Sequence, residues 1–74
     1  MGEPVAEIVK YHRKQSKLTR RQLADLAGVG KTAVYDIEAG KESIRFSTLT
    51  KVLNALNIRL IYESPLMDRF HAES

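Results

Sequence analysis

Only three residues, Gly28-Val29-Gly30, separate two short runs of helical spacing, and this gap constrains the fold more than any other feature of the chain. Before the gap, Thr19 stands as an N-cap with Gln22 three residues on, a capping-box pattern, and Leu23, Leu26 and Ala27 form an apolar stripe. Gly28 stops that run with a residue that tolerates positive φ. After the gap, a run from about Lys31 to Ala39 turns Val34 and Ile37 inward and ends at Gly40. Two helices joined so tightly must cross at a steep angle, which requires small residues where they touch. Ala24 supplies one, and Val29, Val34 and Ile37 are expected to plug the crossing from inside.

Further helices flank this pair. Pro4 suits the first position of a helix, where its missing amide proton is not needed, and Val5, Ile8, Val9 and His12 continue the spacing to about Gln15. Ser16-Lys17-Leu18 is a short connection. Ser47 or Thr48 is expected to cap a fourth helix, with Leu49, Val52, Leu53 and Leu56 at i, i+3, i+4 and i+7. The period then changes. Ile58-Arg59-Leu60-Ile61-Tyr62-Glu63 is β-branched and apolar, closed by Ser64-Pro65, and reads as a short strand. A lone strand leaves its backbone groups unpaired. The economical solution is pairing through Leu60, Ile61 and Tyr62 with the same strand of a second copy, giving a twofold dimer; a strand packed on its own domain is the alternative. The expected fold class is all-α, four to five helices with one short C-terminal strand. Residues 1–58 form the body, 59–64 the dimerising strand, and 65–74 a tail. In that tail Leu66, Met67 and Phe70 sit among charges, as a partner-binding segment or a frayed end.

Charge narrows the class of partner. The net charge of +3 is unevenly spread: residues 10–59 hold eleven Lys and Arg against Asp25, Asp36, Glu38 and Glu42, while both ends are acidic. A basic body between acidic ends fits a polyanion partner. A chain of 74 residues buries a thin core, and without cysteine neither disulfides nor thiolate metal sites support it. No apolar run reaches the length of a membrane span or forms a signal peptide, so a soluble intracellular protein is expected. Gly28-Val29-Gly30-Lys31-Thr32 has the ending of a phosphate-binding P-loop, but that motif needs a glycine at position 25, where Asp25 stands, and a strand before it. His12 and His71 are far apart with no acidic cluster between them, so no metal site or cofactor is expected. No nucleophile–base pair or carboxylate pair suggests an enzyme.

Two helices crossing at such a turn form the helix-turn-helix arrangement, whose second helix lies in the DNA major groove. The segment LTRRQLADLAGVGKTAVYDIEAGKESIRFSTLTKVLNAL resembles the Xre/Cro/C1-type helix-turn-helix repressors, with a lambda-repressor-like domain, over roughly residues 5–58. Leu18-Thr19, Leu23-Ala24, Leu26-Ala27-Gly28-Val29 and Ile37-Glu38-Ala39-Gly40-Lys41 fall where that family places them. Two departures stand out: Arg20 follows Thr19 where the family commonly has Gln, and Gly30 stands where Ser or Thr usually caps the second helix of the pair.

On this reading Lys31 and Thr32 lead the base-reading candidates, since side chains near the start of a recognition helix reach base edges. Lysine donates to guanine O6/N7, and the threonine methyl meets a thymine methyl. Tyr35 and Asp36 lie one turn on; Asp36 can accept from cytosine N4 or steer its neighbours. Thr19 and Arg20 on one side, and Lys41, Ser43 and Arg45 on the other, are expected on phosphates, with Lys17 and Arg21 as secondary candidates. The resemblance further implies an ion pair between Arg13 and Glu38 that orients helices and places Arg13 near phosphate.

The sequence Thr48-Leu49…Val52-Leu53…Ala55-Leu56-Asn57-Ile58-Arg59-Leu60 is similar to the HipB antitoxin branch. That resemblance implies a cytoplasmic, nucleoid-associated homodimer that represses its own operon from a pseudo-palindromic operator and binds a HipA-type kinase toxin. A stand-alone phage-type or chromosomal repressor, and a protein-interaction module on the same fold, are the competing readings.

Overall fold

A computed structural model describes residues 4–73. Five helices follow one another, α1 (Val5–Gln15), α2 (Arg20–Ala27), α3 (Lys31–Glu38), α4 (Phe46–Ala55) and α5 (Met67–Glu73), with no strand among the described residues. Pro4 is the N-cap of α1 rather than its first helical residue: its ψ of 137° is extended, and its carbonyl accepts from the amides of Glu7 and Ile8. The capping box forms at α2, where Thr19 Oγ1 accepts from the Gln22 amide at 3.0 Å and Gln22 Oε1 from the Thr19 amide at 2.8 Å.

The first four helices share one exit. A left-handed residue follows each: Lys17 (φ 59°), Gly28 (75°), Gly40 (81°) and Asn57 (59°). The next amide then reaches back across the last turn, from Leu18 to Arg13, Val29 to Ala24, Lys41 to Asp36 and Ile58 to Leu53, at 2.9–3.1 Å. This is the Schellman closure, which satisfies helix-end carbonyls and drops an apolar residue back onto the helix. Leu18, Val29 and Ile58, the apolar residues at three of these exits, pack on the core.

That core comprises Val9, Leu23, Ala24, Val34, Ile37, Val52, Leu53 and Leu56. Val9, Leu23, Val34 and Val52 are completely enclosed, each burial stabilising by about 1.5–3 kcal/mol. Ala24 is buried in the core while Leu26 points outward, so the α2 stripe is Leu23, Ala24 and Ala27 rather than one containing Leu26.

Two further expectations need correction. Helix α4 begins at Phe46 with Arg45 as N-cap, so neither Ser47 nor Thr48 caps it. Ile44 packs on the core and the Leu49 amide bonds the Arg45 carbonyl, which starts the helix before those hydroxyls can cap it. Residues 58–64 carry no strand, because a strand exists only as a ladder and no neighbouring segment of this chain pairs with it. Ile58 packs on the core, but Leu60, Ile61 and Tyr62 stand exposed and do not pack on their own domain. In the tail, Ser64 accepts from the Met67 amide and opens α5, which an Arg69–Glu73 contact supports one turn apart.

Candidate nucleic-acid interface

Helix α3 divides its residues between two tasks. Val34 and Ile37 face the core, whereas Lys31, Thr32 and Tyr35 are exposed and Asp36 is half-buried. Successive residues of a helix turn by about 100°, so positions 31, 32, 35 and 36 share the outer face and 34 and 37 the inner. Gly30 offers no side chain to the start of α3, so its first amides lack a side-chain cap.

The supporting contacts converge on Glu38, the last residue of α3, whose side chain is only 3% exposed. Arg13 of α1 donates Nε to Glu38 Oε2 at 2.6 Å and Nη2 to Oε1 at 3.0 Å, while its Nη1 donates to the Leu18 carbonyl at 2.9 Å. Arg20 of α2 donates its Nε to Glu38 Oε1 at 3.2 Å. One carboxylate thereby ties three helices. Burial pushes the Glu38 carboxyl up, but the hydrogen bonds and charges of Arg13 and Arg20 outweigh that and leave it below the usual carboxylate value. The hydrogen bond to Glu38 raises Arg13 above its ordinary value despite burial.

Arg13 is 7% exposed and its donors are engaged within the protein, so it does not lie near phosphate; the burial that makes it a good partner for Glu38 removes it from the surface. The exposed arginine of this network is Arg20, 46% exposed, whose guanidinium lies 5.6 Å over the Tyr35 ring. Lys41 Nζ lies 3.6 Å from Asp36 Oδ2, so one cation beyond α3 is paired with a side chain of its outer face. Ser43 and Arg45 are exposed in the same connection. The stack of Arg20 on Tyr35 and the Lys41–Asp36 pair escaped sequence reading, since separations of fifteen and five residues across a turn match no pattern within one helix. His12 Nδ1 lies 2.7 Å from the Ile8 carbonyl, where it can only donate. Among the described residues no group of three or more His, Asp or Glu is assembled to hold a metal, and no helix is long and apolar enough to cross a membrane.

A steep two-helix turn, a recognition-type helix with a polar outer face, and cations at both its ends define a helix-turn-helix protein. The chain belongs to the Xre-type helix-turn-helix family, whose model matches residues 9–62, and it is a transcriptional regulator of this DNA-binding, non-enzymatic class. It is 31% identical over 61 residues to the HTH-type transcriptional regulator y4mF of Sinorhizobium fredii, covering 82% of this chain and 80% of that one. Over 57 residues it is 35% identical to the HTH-type transcriptional regulator YqaE of Bacillus subtilis, covering 77% of this chain but 49% of the relative. The control protein C.SmaI of Serratia marcescens is 33% identical over 55 residues, 74% of this chain and 66% of that one. Among solved structures, a chain of a HipA-HipB-O2-O3 complex superposes with a TM-score of 0.75 at 21% identity, covering 88% of this chain and 94% of its own. A structure described as MDT Protein matches with the same figures.

Proposed function

We propose that this regulator is a dimeric, sequence-specific repressor, and that it serves as the antitoxin of a HipBA-like system, repressing its own operon and binding a HipA-type kinase toxin. The observation that carries the DNA reading is the outer face of α3: Lys31 and Thr32 stand exposed in its first turn, with Tyr35 and Asp36 one turn on. Lys31, Thr32 and Asp36 read base edges. Thr19 and Arg20 on one flank, and Lys41, Ser43 and Arg45 on the other, take phosphates. The Thr19 hydroxyl accepts within its capping box and still has its proton for a phosphate oxygen. Residues 59–64 pair with the same segment of a second copy, covering Leu60, Ile61 and Tyr62 and setting two recognition helices on a pseudo-palindromic operator.

The antitoxin assignment is supported by the similarity of residues 48–60 to HipB and by the fold shared with a HipA-HipB-O2-O3 complex. A second reading, a stand-alone repressor, draws support from the relatives named simply as transcriptional regulators. The deciding experiment is affinity purification of the tagged chain from its native host, with mass spectrometry of what accompanies it. A kinase-like protein in near-stoichiometric amount establishes the antitoxin; recovery of the chain with DNA alone leaves the stand-alone repressor.

A further inference from the structure

We propose that Arg20 and Tyr35 work as one unit: the Tyr35 ring is a platform that holds the Arg20 guanidinium ready for a DNA phosphate, so Tyr35 contributes to binding through Arg20 and not by reading a base. The inference deepens the DNA-binding reading above and rests on it.

Three observations converge on the unit. Arg20 extends from the first turn of α2 across to the exposed side of α3, where its guanidinium lies 5.6 Å over the Tyr35 ring. Its Nε is bound to Glu38 Oε1, and that carboxylate is itself fixed by two bonds from buried Arg13. Among the described residues, Nη1 and Nη2 of Arg20 take no hydrogen-bond partner. The side chain is thus restrained by a charge-assisted bond at one edge and a ring on one face, while the two groups suited to bidentate phosphate binding stay open. A free surface arginine loses considerable rotamer freedom when it grips a ligand; one already restrained loses less, and the difference appears as affinity.

Position argues for phosphate rather than a base edge. The guanidinium sits between Tyr35 and Glu38, in the second half of α3, whereas base edges are met near the start of a recognition helix and phosphates at its flanks. A phosphate grip is sequence-neutral and salt-dependent, which separates it from base reading in an experiment.

The test measures affinity by fluorescence anisotropy on two labelled duplexes, one of mixed sequence and one recovered by selection from a random library. The proteins are the full chain and its Tyr35→Phe, Tyr35→Leu, Arg20→Gln and Arg20→Gln/Tyr35→Leu variants. Tyr35 and Arg20 are both exposed, and thermal unfolding verifies that each variant folds. Tyr35→Phe keeps the ring and should match the parent. Tyr35→Leu should lose roughly two- to fivefold on both duplexes alike, the scale of an exposed cation–π contact. Arg20→Gln should weaken both and lower the salt slope by about one phosphate contact per recognition helix. Adding Tyr35→Leu to Arg20→Gln should cost nothing more. A loss confined to the selected duplex, equal damage from Tyr35→Phe and Tyr35→Leu, or a further loss in the double variant overturns the unit alone. Failure of the parent to bind either duplex overturns the DNA-binding reading and the unit with it.

Discussion

Replacing Glu38 by glutamine keeps the shape of the side chain and removes the charge on which three helices converge. Arg13, 7% exposed, then holds a buried guanidinium facing an amide that accepts on one atom and donates on the other, so one of its two bonds to this residue is lost and its charge is unpaired. Removing one partner of a buried ion pair costs about 3–5 kcal/mol. The Leu18 carbonyl still receives Arg13 Nη1, which places the expected loss near the lower end, about 3 kcal/mol. For a domain of this size, whose whole stability is roughly 4–11 kcal/mol, that is a large fraction, and it should lower the melting temperature by roughly 12–24 °C. Arg13→Met should cost a similar amount by leaving the carboxylate with only the outer contact from Arg20. Combining Arg13→Met with Glu38→Leu removes both charges, and the double variant should be less destabilised than either single one, with about 1 kcal/mol remaining for the unbonded Leu18 carbonyl. The assay is urea unfolding followed by far-ultraviolet circular dichroism at one fixed protein concentration, since pairing of copies would add stability by mass action. Single substitutions costing less than about 1 kcal/mol, the value of exposed pairs, would refute the reasoning, as would a double variant whose loss equals the sum of the two.

Glu38 has a folded-state pKa below its ordinary value of 4.5, so its contribution to stability is complete above about pH 4.5 and is lost as pH falls through the depressed value; unfolding midpoints measured down that range should show a slope that Glu38→Gln lacks. Gly28→Ala should destabilise by about 1–2 kcal/mol in the same urea assay, because φ is +75° and no atom lies near the added methyl, leaving backbone strain as the whole cost. Lys31→Ala should reduce preference for the selected duplex over a mixed one by roughly fivefold or more in competition binding, where a phosphate-only role would weaken both equally. Ile61→Lys should shift sedimentation velocity from dimer to monomer without changing the helical dichroism, since Ile61 is exposed in the single chain.

The helical body was legible because its signals are local. The Thr19–Gln22 box, the Gly28 stop and the Leu49, Val52, Leu53, Leu56 spacing each act within one or two turns, and all appear in the structure. Less legible were features decided by packing at a distance. Ser47 and Thr48 look like caps, but Ile44 docking on the core moves the start of α4 ahead of them. Leu26 fits an apolar period, yet it stands exposed while Ala24 is buried in the core. Lys17 and Asn57 adopt left-handed turns where glycine would be the easier residue, which no local preference announces for lysine. At the site, the outward face of α3 follows from helical period alone. The division of labour between Arg13, which is enclosed, and Arg20, which is open, depends on which flank of Glu38 each reaches.

The eight residues of α3 hold both an inner surface that anchors the domain and an outer one that makes no demand on it. Val34 and Ile37 lock the helix in place regardless of what occupies positions 31 and 32, whose side chains stand in solvent. On the proposed base-reading role of these positions, new target preferences arise by exchange of a few exposed side chains at little thermodynamic risk, and two copies of an ancestral gene are free to diverge toward separate operators. The same freedom stops at Glu38: there a change meant to alter recognition would loosen the whole domain, so diversification is channelled toward the opening turn of the helix and away from its end.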